Sequence, residues 1–164
     1  MSKSSLATAD HSNELFQQRY LIECRRVNRF MIWLMVAQWI AGVCFATLYS
    51  PLTWIGQSYE LHIHVWAAVF LGGAISGTAI LWSKAFPDAA HSRHIMAICQ
   101  VLWSALLIHL SGGRIETHFH VFASLAILSI YRDWKILVTA TIFVAVDHFV
   151  RGVFYPLSAF GIVA

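Results

Sequence analysis

The strongest constraint on this chain is the spacing between its charges. No Asp, Glu, Lys or Arg lies between Arg29 and Glu60, between Glu60 and Lys84, or between Arg93 and Arg114. A helix needs about 20 apolar residues to cross about 30 Å of hydrocarbon. The three uncharged runs therefore predict spans over 30–49, 61–83 and about 94–111. Two shorter apolar runs, 116–131 and 134–150, complete a count of about five; at about 1.5 Å rise per residue they cross only with little tilt. A transmembrane β-barrel would alternate apolar and polar residues in strands of about 10 residues, and these runs are continuous. The expected fold class is all-α, a polytopic transmembrane helical bundle. Composition agrees. The chain is 59% hydrophobic and 12% charged, against about 25% charged in soluble domains. Its net charge of +3 supplies no basic stripe for nucleic acid.

Basic residues set the orientation. Lys3, Arg19, Arg25, Arg26 and Arg29 precede the first span, Lys84 and Arg93 follow the second, and Arg132 and Lys135 follow the fourth. The alternate loops hold only Arg114. By the positive-inside rule the N-terminus is cytoplasmic, and five spans put the C-terminus outside. The first apolar run starts too late and is too long for a signal peptide. Residues 1–28 are expected to be a cytoplasmic segment: a polar, disordered tail over 1–12, then an interfacial helix over 13–28 with Leu15, Phe16, Tyr20 and Ile22 on the membrane surface. Residues 29–164 are the bundle. The inner turn Tyr131-Arg132-Asp133-Trp134-Lys135 is expected to anchor it at the interface, with Arg132 and Asp133 paired. The expected location is the inner membrane of a bacterium, multi-pass, with the lipid bilayer as first partner. Cys24, Cys44 and Cys99 are scattered, with no sign of a disulfide framework.

Nine histidines outnumber the eight Asp plus Glu, and this topology sorts them by depth. His11, His91 and His94 fall on the cytoplasmic side. His62, His64, His109, His118, His120 and His148 fall in one outer layer, with Glu60, Glu116 and Asp147. Ionisable groups at such depths are costly and commonly functional. An internal repeat organises them. Glu60-Leu-His62-Ile-His64-Val-Trp66-Ala67 recurs 56 residues later as Glu116-Thr-His118-Phe-His120-Val-Phe122-Ala123.

On a helix, i and i+4 share a face, so Glu60 is expected to pair with His64 and Glu116 with His120. Residues i and i+2 point about 200° apart; His62 and His64 cannot face the same way unless the helix starts after His62. His64 and His120 are expected to point inward as a quasi-symmetric pair. Gly112-Gly113 makes a tight turn that brings His109 toward His118 and His120.

Imidazole suits Zn, Cu and Fe, with carboxylates as ligands or supports, and helical bundles build metal sites from inward His and Glu. The leading expectation is a transition-metal site (Zn, Cu or Fe) drawn from Glu60, His62, His64, His109, Glu116, His118, His120, Asp147 and His148. Haem b, held by His64 and His120 or by His109 and His148, is the alternative; a di-metal membrane enzyme is a third. Hydrated or mutually paired histidines at headgroup level are the plain alternative. No nucleophile–base arrangement, phosphate loop or H-E-x-x-H is present, which favours a binding role over an enzyme. Gly73-x-x-x-Gly77 permits close helix packing, either as a homodimer face or within the chain.

Gly112-Gly113-Arg114-Ile-Glu116-Thr-His118-Phe-His120, Tyr131-Arg132-Asp133-Trp134, Asp147-His148-Phe-Val-Arg151-Gly152 and Tyr155-Pro156-Leu-Ser158 together resemble the membrane input region of bacterial signalling proteins. In those proteins it precedes cytoplasmic output domains such as histidine kinases, diguanylate cyclases or chemotaxis transducers. The resemblance covers about the C-terminal third and implies a sensory role in signal transduction. This sequence carries no output domain, so a signalling partner or an output domain on a longer chain is implied.

Overall fold

A computed structural model describes the backbone of residues 3–49, 52–55, 58–61 and 63–154, and the side chains of residues 11–48 and 63–154. His62 and the side chain of Glu60 lie outside the described residues, as does the 155–158 segment of the resemblance.

Among the described residues, five helices account for most of the chain. Helix α1 is Lys3–Tyr49, α2 is Ile63–Ala85, α3 is Ala90–Leu110, α4 is Ile115–Leu128 with a 3-10 turn at Ser129–Tyr131, and α5 is Trp134–Phe154. Four of them are long and apolar enough to cross a membrane, and the α4 segment, Ile115–Tyr131, is the shorter fifth. Between α1 and α2, strands β1 (Leu52–Ile55) and β2 (Ser58–Leu61) form an antiparallel hairpin with Leu52 opposite Leu61 and Ile55 opposite Ser58. This hairpin is the one departure from an all-helical chain among the described residues.

The helix ends follow local chemistry. Gly112 and Gly113 both take positive φ, 71° and 77°, a conformation glycine adopts without steric cost. They close α3 through the Gly113 N–H donating to the Ile108 carbonyl at 2.9 Å. The Asp133 carboxylate accepts the Lys135 N–H at 3.0 Å and caps α5, so it serves the helix start rather than the expected pair with Arg132. The polar tail expected over 1–12 is helical from Lys3 instead: adding turns to an existing helix needs no new nucleus, and α1 runs unbroken into its span.

Helix α3 is the most buried of the spans and packs against the other four. Its Trp103 is the central wedge, 2% exposed. The indole lies against Gly42 of α1 and Gly72 of α2, and its Nε1–H donates to Ser76 Oγ at 2.8 Å, which in turn donates to the Met35 carbonyl at 3.2 Å. Met31, Met35, Met96, Ala68 and Ala79 fill the same core. Gly73 meets Trp39 of α1, so half of the Gly73-x-x-x-Gly77 pattern is used inside the chain; Gly77 faces open space. The outer surface is apolar: Trp33, Leu48, Leu81 and Phe149 are each more than 70% exposed, the pattern of helices that face lipid rather than water.

One end of the bundle is tied by polar contacts. Arg25 clasps Asp88 of the α2–α3 loop with two hydrogen bonds, 2.5 and 2.6 Å. Buried Asn28 donates to the Pro87 carbonyl at 3.2 Å and accepts from the Tyr131 hydroxyl at 2.6 Å. The histidine-rich end lies opposite.

Candidate functional site

The two copies of the repeat meet different backbones. In the first, Glu60 falls on β2 and α2 starts only at Ile63, after His62. In the second, α4 starts at Ile115, so Glu116, His118 and His120 all ride on the helix. A helix that starts later in one copy than in the other cannot present equivalent faces. The quasi-symmetric His64–His120 pair is accordingly replaced by other partnerships.

His64 of α2 meets His109 of α3, edge to face, with ring centroids 5.3 Å apart. His118 of α4 meets His148 of α5 in the same manner at 5.7 Å. These are the His–His ring contacts among the described residues; His109 is brought to His64 rather than to His118 and His120. Nor do the contacts match the His64–His120 or His109–His148 pairs named for haem. Among the described residues, no three of His, Cys, Asp and Glu converge to hold a metal ion. The single nine-residue cluster expected from the sequence resolves, where it is described, into two histidine pairs and one separate histidine.

That separate residue, His120, sits in a polar layer between α1, α3 and α4. Its Nδ1 lies 2.8 Å from Ser104 Oγ and 3.3 Å from Ser124 Oγ, and its Nε2 lies 3.3 Å from the Gln38 amide nitrogen. Gln100 donates to Ser124 at 3.1 Å. With the Gln38 amide donating, Nε2 accepts and the ring proton is on Nδ1, facing serine. Both nitrogens of His120 are thus committed, and the expected Glu116–His120 pair does not form; Glu116 is exposed on the first turn of α4. Gln38, Gln100, Ser104 and Ser124 are absent from the sequence expectation. A signal for them existed: Gln100 and Ser104, and His120 and Ser124, each stand one turn apart on one helix face.

His118 and His148 differ from His120. His118 Nδ1 lies 3.0 Å from the Arg114 carbonyl, and His148 Nδ1 lies 3.0 Å from the Val144 carbonyl. A carbonyl oxygen only accepts, so in each ring Nδ1 carries the proton. The neutral ring then keeps its lone pair on Nε2. Asp147 Oδ2 is 3.6 Å from His148 Nδ1 but is chiefly held by Arg151, one turn on. Arg151 also donates to the Ala105 carbonyl of α3 at 3.2 Å, so Asp147 and Arg151 brace α5 against α3. Beside them an apolar cavity of about 230 Å³ runs between α3, α4 and α5, bordered by Val101, Val121, Phe143, Asp147 and His148.

Comparison with known proteins gives one informative similarity. The chain is 34% identical over 88 residues to "Transducer protein Htr8" of Halobacterium salinarum, a match covering 53% of this chain and 13% of that protein. The chain thus corresponds to a small part of the transducer's length. No protein-family profile matches, and no solved structure matches. The multi-helix membrane architecture and the transducer similarity fit a sensor-like region of a signalling protein.

Proposed function

We propose that this chain is the membrane input region of a signal-transduction protein, oriented with its N-terminus in the cytoplasm and its histidine-rich end outside. The similarity to a transducer carries the signalling part of this reading. The signal, in this proposal, is a transition-metal ion, Zn or Cu in first place, taken by His118 and His148.

The tautomers support that choice. A metal-bound histidine usually donates its other ring N–H to a carbonyl or carboxylate, which orients the ring and raises its basicity. His118 and His148 already make that second bond, to Arg114 and Val144. Two imidazoles on one tetrahedral ion, with metal–nitrogen bonds of about 2.0–2.1 Å, hold their centroids about 5 Å apart; the 5.7 Å separation is near that. Binding would tie α4 to α5 and bias their relative position, which an attached output domain or a partner protein would read. His64 and His109, with His62 and Glu60 adjacent in sequence to His64, form the second candidate position.

Elemental analysis of the purified protein, with Zn and Cu titrated separately by calorimetry, tests the reading. Bound metal in the wild type, weakened at least tenfold by His118→Ala and by His148→Ala but not by His120→Gln, is the expected outcome, since each coordinate bond lost removes several times RT. Loss only in His64→Ala and His109→Ala moves the site to the second position. A wild type that binds neither metal overturns it.

A further inference from the structure

A different site lies at the opposite end of the molecule. Between the first half of α1 and the end of α4 is a cavity of about 550 Å³, with Arg19, Tyr20, Cys24, Tyr131 and Arg132 in its walls and Phe16, Val27 and Ile130 as its apolar lining. Arg93 of α3 stands behind that wall. Its guanidinium donates to Cys24 Sγ at 3.1 Å and lies 5.3 Å from the centre of the Tyr20 ring. Arg93 is only 7% exposed, and its Nε is buried with no hydrogen bond.

The carboxylates nearby are engaged elsewhere. Asp88 is clasped by Arg25, Asp133 caps α5, and Glu23, the one acid in the cavity wall, lies 3.8 Å from Arg26. Among the described residues no ion pair reaches Arg19, Arg93 or Arg132. Arg19 and Arg132 line the cavity, and behind its wall buried Arg93 adds a third positive charge with no counter-charge, which is costly; together they set up a field for an anion. Arg132 adds a second indication. It has φ 53°, at a helix end where glycine is the easiest residue to accommodate, so the position holds a guanidinium where the backbone favours no side chain.

We propose that this cavity binds the phosphate headgroup of an anionic membrane lipid. The charge accounts for the phosphate. The apolar lining from Phe16, Val27 and Ile130, beside the start of the first span, accounts for an amphiphile rather than a free ion. Arg guanidinium and phosphate form paired, charge-assisted hydrogen bonds. Arg25, Arg26, Arg29 and Lys135 fall at the same end of the helices, where charge spacing puts the headgroup layer and its anionic lipids. It shares no residue with the histidine pairs and stands independently of the metal reading.

Native mass spectrometry of the full chain in detergent, titrated with phosphatidylglycerol or phosphatidylcholine, tests the proposal. Phosphatidylglycerol is retained by the wild type and phosphatidylcholine is not. Arg132→Gly keeps the left-handed backbone and deletes the guanidinium; it weakens retention by about tenfold, the loss of one charged hydrogen-bonding group. Arg19→Gln, on a different helix, weakens it in the same direction, and unchanged melting points show that both variants fold. Equal retention of phosphatidylglycerol by wild type and both variants overturns the proposal. Protection of the wild type against heat by inorganic phosphate alone, lost in Arg132→Gly, transfers the site to a free anion and overturns the lipid reading.

Discussion

Single residues divide sharply into those with room and those without. A Cβ at Gly72 would stand 2.8 Å from the Trp103 ring, and one at Gly42 the same, while a Cβ at Gly77 meets nothing within 4 Å. Trp103 is held by its hydrogen bond to Ser76 and by the helices on either side, so the ring cannot yield cheaply. Gly72→Ala is expected to destabilise the protein by about 1–3 kcal/mol through overpacking. Gly77→Ala is expected to be neutral or to stabilise by up to about 1 kcal/mol, because alanine is the better helix former. Thermal unfolding in one detergent reads both. A Gly77→Ala variant that loses as much stability as Gly72→Ala would place a partner on the open face. The same residue-scale logic separates the histidines: a neighbouring serine and glutamine occupy both nitrogens of His120, whereas a carbonyl one turn back leaves His118 and His148 with a lone pair.

At the scale of elements, the decisive facts are where helices begin and what ties their ends. Helix α2 begins after His62 and α4 begins before Glu116, which breaks the repeat as a structural symmetry while leaving it visible in sequence. The opposite end depends on the Arg25–Asp88 clasp between α1 and the α2–α3 loop. Arg25, as hydrogen-bond donor and as positive charge, holds the Asp88 carboxyl below its usual range. A carboxyl depressed in the folded state contributes stability above its unfolded value, about pH 4, and loses it as pH falls through the lowered folded value. The melting-point difference between wild type and Asp88→Asn should therefore be constant near neutrality and shrink below about pH 4. Both partners are exposed, so added salt should shrink it too. A difference that persists unchanged at about pH 3, below the unfolded carboxyl value, would show that the Asp88→Asn variant suffers from something other than lost charge.

For the whole molecule, the property with the largest consequence is orientation, because it decides which compartment each end samples. Single-cysteine reporters in a background lacking Cys24, Cys44 and Cys99 address it. A cysteine introduced in place of Ser111 should react with a membrane-impermeant maleimide added to intact cells, and one in place of Asp88 should react only after the membrane is opened. The reverse pattern would invert the proposed topology and put the histidine pairs in the cytoplasm.

The number and placement of the helices were legible in the sequence because they depend on a local quantity. An uncharged apolar run long enough to cross the hydrocarbon core must satisfy its own backbone, and a helix is how it does so. The predicted boundaries at 83, 111 and 131 fall within two residues of the observed ends of α2, α3 and the α4 segment. Burial of His120 also follows from one helix face. The partnerships did not follow. Which histidines meet depends on the rotation of each helix about its axis and on the first helical residue, and both are set by packing around Trp103 and by the hairpin before α2. The expected Arg132–Asp133 pair was likewise replaced when the α5 terminus claimed the carboxylate for its own free N–H. The sequence by itself determined a five-helix membrane bundle with histidines gathered toward one end, since apolar length and charge spacing act residue by residue. Only the tertiary structure decided that those histidines stand as His64–His109 and His118–His148 with His120 apart, because contacts between helices depend on azimuth and register, which no single helix specifies.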